Sequence, residues 1–77
     1  MDINFTKHAH QRLSERKITI EQVIKTIANP EITSENDEKI VVYRKFLRHS
    51  LKVIYRQEDI KITVITVHWI ESHRLKN

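Results

Sequence analysis

KIVVYRKFLRHSLKVIYRQEDIKITVITVHW, residues 39–69, decides the fold. Val, Ile, Thr and Tyr crowd three runs, Lys39–Phe46, Ser50–Gln57 and Ile60–Trp69, and each run reads as a strand. The gaps between them are short, so the strands are expected to form an antiparallel meander. In the middle run Leu51, Val53 and Tyr55 alternate with Lys52, Ile54 and Arg56, which makes the first set the natural core face. The last run is apolar on both sides, with Ile60, Ile62 and Val64 on one and Ile65, Val67 and Trp69 on the other. Such a strand belongs inside a sheet or under cover on both faces.

Upstream of this block the apolar period lengthens to that of a helix. A first helix is predicted from about Lys7 to Lys17, with Thr6 as its N-cap and Ala9 and Leu13 on its buried edge. Thr19-Ile20-Glu21-Gln22 reads as a capping box, flanked by the staple pair Ile18 and Val23. Ile20, Val23, Ile24, Ile27 and Ala28 then recur on one face of a second helix, which Asn29-Pro30 stops. The acidic stretch Glu31–Glu38 reads as a loop with room for a short extended piece. The fold class is therefore α+β, with two N-terminal helices on one face of a three-stranded antiparallel sheet. Its expected core is Ile20, Val23, Ile24, Ile27, Leu51, Val53, Ile62 and Val64. The polar tail from Glu71 to Asn77 is expected to fray.

Seventy-seven residues suffice for a single domain, 1–77, and no separate cofactor domain. Glycine is absent, so the phosphate loops and dinucleotide fingerprints that need it are excluded and no cofactor is expected. Cysteine is absent too, which removes disulfides, thiol catalysis and cysteine-ligated zinc. No metal site is expected: His8 and His10 lie two apart, on opposite sides of a helix. With no long apolar run the chain is expected to be soluble and cytoplasmic, without a membrane partner. Nothing in the residues sets an oligomeric state.

The charge of +4 is unevenly spread. Residues 18–38 hold Lys25 against five acids, whereas residues 39–57 hold Lys39, Arg44, Lys45, Arg48, Lys52 and Arg56 with no acid at all. A basic block set against an acidic one is the footprint of a nucleic-acid surface, and equally of a solvated basic hairpin.

His8-Ala9, Arg12 and Glu15-Arg16-x-Ile18-Thr19 resemble the opening of the family known as domain of unknown function 4258, in which a helix of the form HA-x-x-R-x-x-x-R leads into I-[ST] and a second helix. Leu51-Lys52-Val53-Ile54-Tyr55 and Val64-Ile65-Thr66-Val67-His68-Trp69 continue the likeness, which spans roughly residues 5 to 70. That family is similar in order and size to the RelE, ParE and BrnT toxins. The resemblance implies a RelE-like fold, metal-free cleavage of messenger RNA, action on RNA or at the ribosome, and a paired antitoxin protein. Two positions depart from the pattern. Lys17 stands where glycine is common, and no glycine serves the turn near Leu47-Arg48-His49.

Metal-free RNA cleavage needs a base for the 2′-hydroxyl, cations for the phosphorane and an acid for the leaving oxygen. His8, Arg12 and Arg16 lie four apart and form one helix stripe that offers an imidazole and two guanidinium groups. The same arginines could instead pair with Glu35 or Asp37. His68 closes the most apolar strand, either as a satisfied core residue or as a proton carrier at a cleft mouth. The candidate catalytic set is thus His8, Arg12, Arg16 and His68. Arg44, Lys45, Lys52 and Arg56 are candidate phosphate contacts, and Tyr43 is a candidate stacking platform. His73 is a further histidine in the tail. The alternative readings are a non-catalytic RNA- or ribosome-binding module, or a domain whose basic groove receives an acidic protein.

Overall fold

The computed structural model describes residues 2–71. Its elements are β1 (Asp2–Phe5), α1 (Lys7–Arg16), α2 (Ile20–Ala28), β2 (Ile32–Asn36), β3 (Lys39–Phe46), β4 (His49–Glu58) and β5 (Lys61–Glu71). The strands form one mixed sheet in the order β1-β5-β4-β3-β2. This corrects the expected three-stranded antiparallel sheet. The meander β3-β4-β5 is present, but β1 adds to β5 in parallel and β2 adds to β3 antiparallel. β1 has only four residues, too few for an alternation to show in sequence. β2 lies in the acidic stretch read as a loop, and all five of its residues are exposed, so no apolar face marks it. Glu71, the first residue of the tail expected to fray, instead ends β5 opposite His49, and residues 72–77, His73 among them, lie outside the described residues.

Local chemistry accounts for both helices. Thr6 Oγ1 accepts from the Ala9 amide at 3.1 Å and starts α1. Lys17 ends that helix in the left-handed region, φ 55°, and the Ile18 amide reaches back to the Leu13 carbonyl. This is a conformation in which glycine costs least, and here a lysine holds it. Thr19 and Gln22 bond reciprocally at 3.0 Å, completing the capping box of α2.

One face of the sheet carries the core. Ala9, Leu13, Ile18 and Val23 pack from the helical layer onto Val42, Leu51, Val53, Tyr55, Ile62, Val64 and Val67. Val23, Leu51, Val53, Ile62 and Val64 are buried as expected, and Ile27 is half-buried. Ile20 and Ile24 are not, being 49% and 43% exposed. At 100° per residue, Ile24 points roughly 110° from the mean direction of Val23, Thr26 and Ile27, the face that meets the sheet. Thr26 takes the buried place, its hydroxyl satisfied by the Gln22 carbonyl at 2.8 Å.

β5 is not two-faced in the way its sequence suggests. A register shift opposite Ile54 and Tyr55 leaves Ile65 as an extra residue, since Tyr55 pairs with Val64 and Ile54 with Thr66. A bulge changes the phase of the alternation. Ile62 and Val64 before it, and Val67 and Trp69 after it, therefore all reach the helix side. His68 is turned to the open side, opposite Lys52.

Candidate active site

β1 and α1 build this site by where β1 stops. β1 pairs with β5 only as far as Val64, where the Thr6 amide donates to the Val64 carbonyl at 3.0 Å. Thr6 then donates its hydroxyl to the carbonyl of Ile65, the bulged residue, at 3.1 Å. That bond ties the start of α1 to the point where β5 changes phase. Beyond it, α1 rather than a strand accompanies β5.

Arg16, at the end of α1, spans both sides of that edge. Its backbone carbonyl accepts from Trp69 Nε1 at 3.0 Å on the helix side. Its guanidinium Nη1 lies 3.0 Å from Nδ1 of His68, which is turned to the open side. A guanidinium can only donate, so Nδ1 accepts and the proton of the neutral ring is on Nε2. Burial lowers the His68 pKa from its ordinary 6.5, and the positive charges of Arg16, Lys52, Arg12 and His8 push it the same way. The imidazole is thus kept neutral inside a cationic surround.

Lys52 faces His68 directly across the β4–β5 ladder, and Tyr43 faces Lys52 across β3–β4. Directly opposed residues share a sheet face. Tyr43, Lys52 and His68 therefore form a row across the open side, with Lys52 Nζ 5.9 Å from the Tyr43 ring centre. Arg12 is held by Glu15 of its own helix at 2.8 Å, and its Nε is buried with no hydrogen-bond partner. Glu35 and Asp37, acids that could have paired with these arginines, lie at or beside the β2–β3 hairpin.

The structure sets Arg16 of α1 against His68 of β5, with Lys52 of the neighbouring β4 opposite, and Arg12 and His8 of α1 act on His68 through their charge. It separates others. Arg44 pairs with Leu51 on the helix side, where its Nη1 donates to the Asn29 carbonyl at 2.8 Å and caps the end of α2. It also stacks 5.8 Å over Phe46. Arg56 lies at the far end of the sheet, in a cleft with Asn36, Asp37, Glu38 and Lys39. Lys45 is exposed, two residues along β3 from Tyr43 and on the same face.

Thr66 is a residue the sequence reading did not assign. It lies two before His68 on the same face, and its Oγ1 is buried without a hydrogen-bond partner. The signal was there as a Thr-x-His pair, but without the bulge its direction could not be read. Among the described residues, no three His, Asp or Glu side chains gather as a metal site. No helix there is long and apolar enough to cross a membrane.

Residues 5–69 match the model of the family described as Domain of unknown function (DUF4258). The chain belongs to this family. No curated protein and no solved structure matches it. The matched span contains α1 and the part of β5 that carries His68.

Proposed function

We propose that the chain is a metal-independent endoribonuclease that cleaves RNA by attack of a ribose 2′-hydroxyl on the adjacent phosphate. The observation that carries this reading is the 3.0 Å contact between Arg16 and His68 Nδ1, with Lys52 opposite in register. It places a neutral imidazole within a group of cations, the combination that general-base attack on a phosphodiester needs.

In the free protein Arg16 occupies the lone pair that a base would use. A phosphate offers the guanidinium two anionic oxygens and a forked, charge-assisted bond, stronger than the bond to neutral imidazole. Substrate binding therefore draws Arg16 onto the phosphate and frees His68 Nδ1 to accept the 2′-hydroxyl proton. Lys52 and Arg12 add positive charge where the phosphorane forms. Arg12 gives up only an exposed pair with Glu15, a small loss. His8, exposed on the first turn of α1, protonates the departing 5′-oxygen. The products are a 2′,3′-cyclic phosphate and a 5′-hydroxyl.

The experiment is incubation of end-labelled single-stranded RNA with the protein in excess chelator. Cleavage is expected at positions carrying a 2′-hydroxyl, and a single 2′-deoxy substitution should block its own site only. His68→Ala should abolish cleavage. An absence of cleavage by the wild-type protein, or cuts that ignore the 2′-deoxy substitution, rules the mechanism out.

A further inference from the structure

We propose that Tyr43 stacks on the base of the nucleotide immediately 5′ of the phosphate held at Arg16, Lys52 and His68, and that the substrate is therefore single-stranded RNA. This contact rests on the reading of those three residues as the phosphate site, and it gives the bound strand a direction. Tyr43 faces Lys52 across β3–β4, and Lys52 faces His68 across β4–β5. Ile32, 40% exposed, continues the row on the far side of Tyr43. The row thus runs from an apolar end, Ile32 and Tyr43, to a charged one, Lys52 and His68 with Arg16. A nucleotide has the same two ends, a base and a phosphate.

The ring is turned the right way for this. Lys52 Nζ lies over the Tyr43 ring, 5.9 Å from its centre, so the ring shows Lys52 a face rather than an edge. On the helix side, rings meet rings: Phe46 and His49 both stand edge-on to Trp69, with centroids 6.3 and 6.2 Å away. Tyr43, half-buried on the open side, meets an ammonium. A phosphate carries full charge, whereas the ring offers that ammonium only its quadrupole. Phosphate binding therefore draws Lys52 off the ring and leaves a bare aromatic face. Such a face holds a base by stacking, without reading its edges.

The two histidines decide which base it is. In the cleavage proposed above, His68 takes the proton of the attacking 2′-hydroxyl and His8 protonates the departing 5′-oxygen. Those two oxygens lie on opposite sides of the phosphorus, because the attack is in line. His8 belongs to α1, which packs beside β5 and β1, whereas β4 and β3 lie on the other side of β5. The leaving nucleotide therefore extends toward α1. The nucleotide that supplies the 2′-hydroxyl extends over Lys52 to Tyr43, two strands or roughly 9 to 10 Å from His68. Its base is the one 5′ of the phosphate. A base held on Tyr43 cannot stay in a duplex stack, so a paired strand is excluded.

The test uses two probes with one phosphate each, the 3′- and 5′-monophosphates of 2-aminopurine riboside. Only the first has its base 5′ of its phosphate. Fluorescence titration of the full chain should show the 3′-phosphate quenched by stacking. It should bind at least about fivefold tighter than the 5′-phosphate, the lower end for one base–aromatic stack. Tyr43→Phe keeps the ring and should keep the preference, whereas Tyr43→Leu should abolish it. Equal binding of the two isomers, a preference for the 5′-phosphate, or a preference that survives in Tyr43→Leu overturns the proposal. The isomer comparison on wild type decides the matter even where Tyr43→Leu does not fold. With RNA as substrate, a hairpin should be cut only in its loop, and cuts within the stem overturn the proposal too. An abasic site 5′ of the cut should lower kcat/KM at least about fivefold, and more than an abasic site 3′ of it; the reverse order overturns the direction assigned to the strand. Failure of the nuclease reading looks different. No RNA is then cut, yet the 3′-phosphate is still preferred and quenched, and the Tyr43 contact stands as part of a binding site.

Discussion

Arg16 and His68 are separated by 52 positions in the chain and meet at 3.0 Å, guanidinium to Nδ1, around the edge of β5. The same arginine's carbonyl holds Trp69 on the other side of that edge. A residue read from sequence as one member of a helix stripe is therefore the joint between the two faces of the sheet.

Removing the guanidinium removes one of the charges that depress the His68 pKa. Arg16→Ala should therefore raise that pKa, as read by an NMR titration of the imidazole nitrogens. Arg16→Lys should keep it lower than Arg16→Ala does, yet cut RNA cleavage by about 10² because the ammonium lacks the fork. An unmoved His68 titration in folded Arg16→Ala would show that the two side chains do not meet in solution.

The depressed pKa also sets a direction for stability. The unfolded chain takes a proton on His68 near the ordinary 6.5, and the folded chain resists it until a lower pH. The stabilisation is complete above pH 6.5 and declines as pH falls toward the folded pKa. Urea denaturation between neutral and mildly acid pH should show wild-type stability falling through this window, with a shallower fall in His68→Gln. Parallel curves for the two proteins would assign the acid sensitivity to other groups.

Thr6 and Thr19 are both N-caps, but only Thr6 also bonds the sheet, through the Ile65 carbonyl. Thr19→Ala should cost about 1 kcal/mol, the usual value of a cap. Thr6→Ala should cost about 1 kcal/mol more, because it also leaves the bulge carbonyl without its donor. It should lower cleavage as well, since α1 loses its tie to β5. Equal losses in chemical denaturation would mean that the Ile65 bond contributes nothing net.

Both helices were legible from their capping residues, and β3, β4 and β5 from their composition, because these are local signals. The edges of the sheet were not. β1 is too short to show a period, and β2 buries no side chain, so pairing alone makes each a strand. The stripe of His8, Arg12 and Arg16 was visible at helical spacing, but its meeting with His68 depended on Ile65. One extra residue in β5 reverses the alternation and turns His68 to the open side with Lys52. No pattern of apolar residues announces such a bulge when both phases are filled with Val and Ile. Arg44 shows the same limit from the other direction. Its type and its basic neighbours pointed to phosphate, whereas its strand position aims it at the end of α2.

Arg44 and Lys52 are therefore the sharpest pair for testing the nucleic-acid surface. They share a basic block and lie on opposite faces of the sheet, Arg44 opposite Leu51 and Lys52 opposite His68. If RNA lies on the open face, Lys52→Ala removes one phosphate contact. The slope of log affinity against log salt should then flatten by roughly one unit, with stability little changed. Arg44→Ala should leave that slope as in wild type and instead lower stability by about 1 to 2 kcal/mol, because the Asn29 carbonyl loses a charged donor. Arg56→Ala, at the acidic end of the sheet, should change the slope less than Lys52→Ala does. The measurements are RNA affinity across a salt series and urea denaturation for each variant. A flattened slope in Arg44→Ala with none in Lys52→Ala would put the RNA on the helix side and remove His68 from the reaction.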